Sequence, residues 1–207
     1  MKKPSTCQGC VLEKKGISFT TPTGTGKNGV LVIGENPGYT EAVEGIPFKD
    51  ESGIQLNRAI NRHKYNRDDF GFGNLIQCQP PKNWIDGAPW EQEAIEHCRI
   101  HMHKIVQKFK PKVISLQGSL TLKWMAGIDG LLPSKKNNAP KRGYVFDVKV
   151  GGHRCLAVPT MHPSFIIRGN QHLAGVHMWD LSRAYKIAEN GLEEDSYHYI
   201  GHPSYSA

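Results

Sequence analysis

Four cysteines, Cys7, Cys10, Cys78 and Cys98, constrain this chain more than any other feature. The first two form a Cys-x-x-Cys pair in a polar arm, where burial in an apolar core is implausible. Cys78 follows a short apolar run, and Cys98 sits in a stretch with helical periodicity. Taken alone, Cys98 reads as a core cysteine. Taken with the other three it reads as a ligand, so the fold has to bring an N-terminal arm, a strand end and a helix to one place. Thiolates at four positions close a tetrahedral zinc site or hold a cubane iron–sulfur cluster. A zinc ribbon usually has two short knuckles, and here there is only one. Single ligands drawn from separate elements suit the larger cluster, a [4Fe–4S] centre, with structural zinc as the alternative. The fifth cysteine, Cys155, lies in an apolar strand and is assigned to the core. His97, His101 and His103 crowd the helix of Cys98 and are read as surface residues, with alternative ligands as the second reading.

Short apolar runs alternate with helical patterns along the rest of the chain. Val30–Ile33 is a continuous apolar run, as expected of a strand buried on both faces. A long loop from Gly34 to Gly53 follows. Ser52 and Gln55 read as a capping box for a helix reaching about Arg62. Gly73–Gln77 reads as a second strand. From Glu91, apolar residues at Ile95, Cys98, Met102, Ile105, Val106 and Phe109 predict a helix that Pro111 ends. Val113–Leu116 is a third strand, turned by Gln117-Gly-Ser119 into a helix. Lys135 to Lys141 is a basic loop. Tyr144–Val150 and Arg154–Val158 form a hairpin or two short strands, and a last helix spans Val176 to Glu189. Strands alternating with helices predict a three-layer α/β/α fold around a central, mostly parallel four-stranded sheet. With no repeat and no evident linker, residues 1–207 are expected to form a single domain, with a cluster-binding arm at 1–29 and a peripheral tail at 191–207.

Lysine and arginine outnumber aspartate and glutamate by 26 to 19 in 207 residues, a formal net charge of +7. That balance favours a polyanionic partner such as DNA or RNA. The chain opens on Met1-Lys-Lys-Pro-Ser with no apolar signal segment, and no run approaches the roughly 20 apolar residues of a membrane span. The expected setting is cytoplasmic and reducing, where a Cys-x-x-Cys more often binds metal or does redox work than forms a structural disulfide. Gly24-Thr-Gly26-Lys27 imitates a phosphate loop. The leading glycine position is Thr21, Asn28 stands where Ser or Thr would hold magnesium, and the loop precedes its strand, so nucleoside triphosphate binding is set aside.

In order, the chain carries Gly34-Glu-Asn-Pro-Gly38, Gly45-Ile-Pro-Phe48, Gly73-Asn74 leading to Cys78-Gln-Pro-Pro81, Cys98, Pro111-Lys-Val-Ile114 with Gly118, and His162-Pro-Ser-Phe-Ile-Ile-Arg168. This ordered set, over roughly residues 7 to 188, resembles the iron–sulfur class of uracil-DNA glycosylases, family four of that superfamily. The resemblance implies a monofunctional DNA glycosylase that acts on DNA as a monomer. Such an enzyme flips out and hydrolytically excises uracil or a related pyrimidine, leaving an abasic site.

It assigns roles residue by residue. Phe48 stacks on the extruded base, and Asn74, offering a donor and an acceptor, reads N3–H and O4. Gly34 and Tyr39 complete the base pocket. His162 stabilises charge on the departing base. Asn36, and after it Glu35, positions the water; Asn36 is similar to the loop asparagine of the mismatch-specific thymine/uracil glycosylases. Arg168, with Ser164, Lys141 and Arg142, contacts DNA. Cys7, Cys10, Cys78 and Cys98 hold the cluster. No motif lysine is convincingly placed for a Schiff base.

The chain departs from the family after Phe48, where Lys49-Asp-Glu-Ser52 replaces an apolar and small run. It departs also at Ala42, at Gln77, and in a longer Cys78–Cys98 loop with Trp84 and Trp90. Two rivals stay open: a glycosylase for a modified pyrimidine in foreign, viral DNA, acting in defence, and a catalytically silent DNA-binding relative in replication or repair.

Overall fold

The computed structural model describes residues 2–128, 131–132 and 141–192, together with the backbone of 198–201. Its strands are β1 (Thr23–Gly24), β2 (Val30–Gly34), β3 (Gly71–Asn74), β4 (Val113–Gln117), β5 (Tyr144–Val150), β6 (His153–Thr160) and β7 (His198–Gly201). Its α-helices are α1 (Tyr39–Glu44), α2 (Glu51–Arg62), α3 (Glu91–Phe109), α4 (Ser119–Ala126), α5 (Pro163–Ile167) and α6 (Ala174–Asn190). The described strands form one sheet in the order β1-β3-β2-β4-β6-β5-β7.

Strands β3, β2, β4 and β6 are mutually parallel. They are the expected four-stranded centre. The edges are additions: β1 pairs antiparallel with β3, β5 antiparallel with β6, and β7 parallel with β5. The tail expected to be peripheral thus adds an edge strand.

Every residue of β2 and β4 is buried, which is why neither shows polar alternation. Leu31, Ile33, Ile114 and Leu116 pack one way, against α3 and α4. Val30, Val32 and Val113 pack the other way, against α2 and α6. Helix α3 buries Ile95, Cys98, Met102, Ile105 and Val106 on one stripe and stops where Lys110 turns left-handed (φ 42°) before Pro111.

Three local expectations are corrected. The loop after β2 contains α1, closed by Gly45 in the left-handed conformation and started at Gly38, whose N–H is taken by Glu41 three residues on. The cap of α2 is Asp50, whose carboxylate accepts from the Ser52 N–H at 3.0 Å, not a Ser52–Gln55 box. Strand β3 begins and ends earlier than Gly73–Gln77, because beyond Asn74 the chain bends and donates to the carbonyls of Gly34 and Glu35.

The connection from β2 leads to β3 on one side, and that from β4 leads towards β6 on the other. Their loops part at the carboxyl ends of β2 and β4. In open α/β sheets such a parting leaves a crevice suited to a ligand.

Candidate active site

Residues from the carboxyl ends of all four parallel strands meet at that crevice. Glu35 and Asn36 follow β2, Asn74 ends β3, Gly118 follows β4, and His162 follows β6. Glu35, Asn36, Asn74 and His162 line a cleft together with Gly38, Glu41, Phe48, Asp50, Ser52, Asn83, Ser164 and Arg168, while Gly118 packs against Glu35 and His162. A Cβ on Gly34 would sit 2.5 Å from the Asn74 side chain and 2.8 Å from the Phe48 ring, so the absence of a side chain there lets the two approach.

Phe48 is buried, with a left-handed backbone (φ 54°) that a bulky side chain adopts only when its surroundings enforce it. Arg67 supplies part of that enforcement. It donates to the Phe48 carbonyl at 3.1 Å while its guanidinium lies 4.1 Å over the Phe72 ring. Gly53 supplies the rest, since any Cβ there would overlap the Phe48 carbonyl. Asn74 is 2 % exposed, and its Nδ2 has no hydrogen-bond partner. A buried amide donor left unpaired costs about 1–3 kcal/mol, so a ligand is its natural complement.

His162 caps α5 with its own ring: Nδ1 accepts from the Ser164 N–H at 3.2 Å and lies 2.7 Å from Ser164 Oγ. Burial, with buried His177 and Arg168 nearby, pushes its pKa down to about 3. The ring is therefore neutral, and because Nδ1 accepts, Nε2 carries the proton. Arg168 braces the same turn, donating from Nε to the Ser164 carbonyl and from Nη2 to Ser164 Oγ, both at 3.1 Å.

Glu35 turns its carboxylate against Gly118, where a Cβ would come within 2.7 Å of Oε1 and 3.2 Å of the His162 Cβ. Burial, reinforced by Asp86 and Glu91 and opposed by Arg168, raises its pKa to about 7. Asn36 donates from Nδ2 to Asn83 Oδ1 at 2.6 Å and to the Pro37 carbonyl at 3.0 Å. Its own carbonyl oxygen has no partner among the described residues.

Some assigned residues fall elsewhere. Tyr39 is 69 % exposed and outside the cleft wall; Glu41 and Asp50 stand in the wall instead. Arg142 is corrected from a DNA contact to a structural arginine. Its Nε and Nη2 pair with buried Asp180 at 2.8 and 2.9 Å, and Thr160 also donates to Asp180. Lys141 lies over the Tyr144 ring, away from the cleft. Lys135 and Lys136 lie outside the described residues.

Cys7, Cys10, Cys78 and Cys98 converge on a second, separate cavity. The arm reaches it in two ways. Ile17 pairs with Gln79, and the Thr20 N–H donates to the Gln77 carbonyl, on either side of Cys78. Lys3 then ties the arm into a loop, its ammonium donating to the carbonyls of Leu12, Glu13 and Gly16 at 2.6–2.7 Å. Burial pushes the Cys78 thiol up to about 11 and raises Cys7 and Cys98, with smaller contributions from Cys7, Cys10 and Cys78 to their neighbours. Thiols held protonated in this way can serve as ligands only to a metal centre that displaces their protons. Among the described residues no three His, Cys, Asp or Glu side chains are grouped as ligands of one metal ion. Cys155 is buried in the core, as expected. His101 is not the surface residue expected: it is buried, with Nε2 3.7 Å from Cys7 Sγ and 3.3 Å from Thr6 Oγ1. The Cys78–Cys98 segment carries Trp84 and Trp90, packed edge to face on each other.

Sequence reasoning missed Glu41, Asn83, Asp86 and His177. Glu41 had a local signal, an acid three residues after a glycine cap. The other three act across long sequence separations and leave none.

These features define an α/β protein with a polar cleft at the carboxyl ends of its parallel strands and a separate, thiol-lined cavity. A family model for the uracil DNA glycosylase superfamily matches residues 22–186. The chain is 28 % identical over 180 residues to the type-4 uracil-DNA glycosylase of Thermotoga maritima, covering 86 % of this chain and 87 % of that one. It is 28 % identical over 159 residues to that of Saccharolobus solfataricus (76 % and 71 % covered). It is 26 % identical over 162 residues to that of Pyrobaculum aerophilum (78 % and 80 %). The chain belongs to the uracil DNA glycosylase superfamily. No described helix is long and apolar enough to cross a membrane.

Proposed function

We propose that this chain is a monofunctional DNA glycosylase that hydrolyses the bond between a flipped-out uracil, or a related pyrimidine, and its deoxyribose. The observation that carries this reading is the unpaired, buried Nδ2 of Asn74 beside the Phe48 ring, in the same cleft as a neutral imidazole with its proton on Nε2. Phe48 stacks on the base face, and the Asn74 amide pairs with O4 and N3–H. As the C1′–N1 bond breaks, its electrons pass to the base, and His162 Nε2–H donates to the O2 that gathers the charge. Water adds its oxygen to C1′. The open oxygen of Asn36 orients it, and ionised Glu35 accepts its proton. Arg168 and Ser164 face the phosphates flanking the flipped nucleotide. The silent-relative reading leaves the Asn74 donor and the His162 tautomer without a use.

We further infer that Cys7, Cys10, Cys78 and Cys98 hold a [4Fe–4S] cluster. The support is the donor set: four thiols, one Cys-x-x-Cys pair from the arm and two single cysteines from separate elements, lining one cavity. The cluster, when bound, cross-links the arm to the Cys78–Cys98 segment. All five cysteines are unpaired, which suits a reducing cytoplasm. The deciding assay incubates the protein with duplex oligonucleotides carrying a single uracil, followed by alkaline cleavage at abasic sites. Base release with no strand scission before alkali is expected. No abasic site from uracil or any modified pyrimidine sinks the enzymatic reading.

A further inference from the structure

The wall of the cleft around Gly38 carries more acceptor chemistry than an unsubstituted base can use. Glu41 is already committed: Oε2 accepts from the Gly38 N–H at 2.9 Å and Oε1 from the Lys49 N–H at 3.0 Å. Asp50 is only half committed. Its Oδ1 caps α2 through the Ser52 N–H, while Oδ2 packs on Gly38, where any Cβ would overlap it. That second oxygen has no hydrogen-bond partner among the described residues, and the side chains of Asp50 and Ser52 both line the cleft. The orphaned Asn74 Nδ2 in the same cleft marks it independently as a ligand site.

The orientation of a base follows from the reading above, on which this inference rests. N1 points to the sugar, O2 to His162, N3 and O4 to Asn74, and a ring face to Phe48. The edge left over is C5, and the wall left over is Gly38, Asp50 and Ser52. A bare C5–H there would strip water from a carboxylate oxygen and return no hydrogen bond. We propose that the cleft selects a pyrimidine with a hydrogen-bond donor one carbon out from C5, a hydroxymethyl or aminomethyl group, and that Asp50 Oδ2 is the atom that reads it.

Thymine is the telling competitor, because it differs from 5-hydroxymethyluracil by the hydroxyl alone. A site built to bond a hydroxyl rejects the analogue lacking it far more strongly than size alone would. Single-turnover excision from duplexes carrying uracil, thymine, 5-hydroxymethyluracil or 5-aminomethyluracil tests this. The expected result is release of at least one donor-bearing base about 100-fold faster than thymine. Asp50→Ser keeps a capping oxygen on α2 and removes the pocket oxygen; it should lower that ratio at least about tenfold. Asp50→Asn keeps the shape and the cap but puts a donor in place of the acceptor, so it should lower the ratio for the aminomethyl base, whose ammonium cannot accept, more than for the hydroxymethyl base. Donor-bearing bases released no faster than thymine, or a ratio untouched in both variants, would overturn the assignment. Uracil released while both donor-bearing bases are ignored sinks this inference alone; no release from any substrate sinks the base-excision reading with it.

Discussion

The cysteine cavity and the polar cleft are both places where burial drives ionisable groups towards neutrality, and they use it in opposite ways. In the cavity, burial raises Cys7, Cys78 and Cys98, Cys78 to about 11, and so holds them as neutral thiols. In the cleft, burial holds His162 neutral, with a pKa near 3, and brings Glu35 to about 7, where a carboxyl can change state during a reaction. The first region is where the proposed cluster would sit, its thiols giving up their protons on binding. The second is built to turn over. One segment joins them: between Cys78 and Cys98 the chain presents Asn83 to Asn36 and sets Asp86 among the charges acting on Glu35.

The largest expected effect breaks that link. Cys78→Ser or Cys98→Ser should abolish the brown colour and the roughly four irons per chain expected of the wild type. Both variants should lose excision along with the metal, because the segment that orients Asn36 is released. Purified wild type that is colourless, with one zinc per chain, would break the comparison at its first term.

Next in size is His162→Ala, expected to slow single-turnover excision by about 10²–10³-fold, the usual loss when a positioned transition-state donor is removed. Because the cavity shares no lining residue with the cleft, iron content should stay at the wild-type level. A variant that loses iron and activity together would show the two regions to be less separate than the geometry indicates.

The smallest and most discriminating effect concerns Glu35. A base must be ionised, so wild-type excision should fall about tenfold per pH unit below about 7, and Glu35→Gln should flatten that limb while lowering the plateau. Stability moves the other way. A carboxyl raised from 4.5 to about 7 favours the folded state when protonated. Its penalty is absent below about pH 4.5, grows towards pH 7 and is complete above it. Glu35→Gln should therefore melt a few degrees higher than wild type at pH 8, and at the same temperature at pH 4. An unchanged acid limb in the variant would move the titration to another group.

Much of the fold was legible in the chain because the information is local. Val30–Ile33 and Val113–Leu116 are continuous apolar runs, as strands covered on both faces must be, and Pro111 ends α3 by steric necessity. The edge additions β1 and β7 were not legible, since a two-residue strand and a polar tail segment carry no periodicity. Helix α1 hid in a stretch with Pro37, Gly38 and Gly45, because its capping groups are the residues that usually signal a loop.

The amino-acid sequence by itself determined which groups were available: four thiols in separate elements, an asparagine at a strand end, an aromatic after Gly-Ile-Pro, and a histidine before a proline. Chemical identity is local, so it can be read without a structure. Only the tertiary structure decided their state. That His162 holds its proton on Nε2 follows from a backbone N–H two residues on and from the packing around it. That Arg142 stabilises the fold, and does not reach outward, follows from Asp180, which is 38 residues away in the chain and 2.8 Å away in space. That Asp50 both caps a helix and lines the cleft follows from its contacts with Ser52 and Gly38. Tautomer, ionisation and pairing are set by whatever lies within a few ångströms, and only the fold brings those neighbours together.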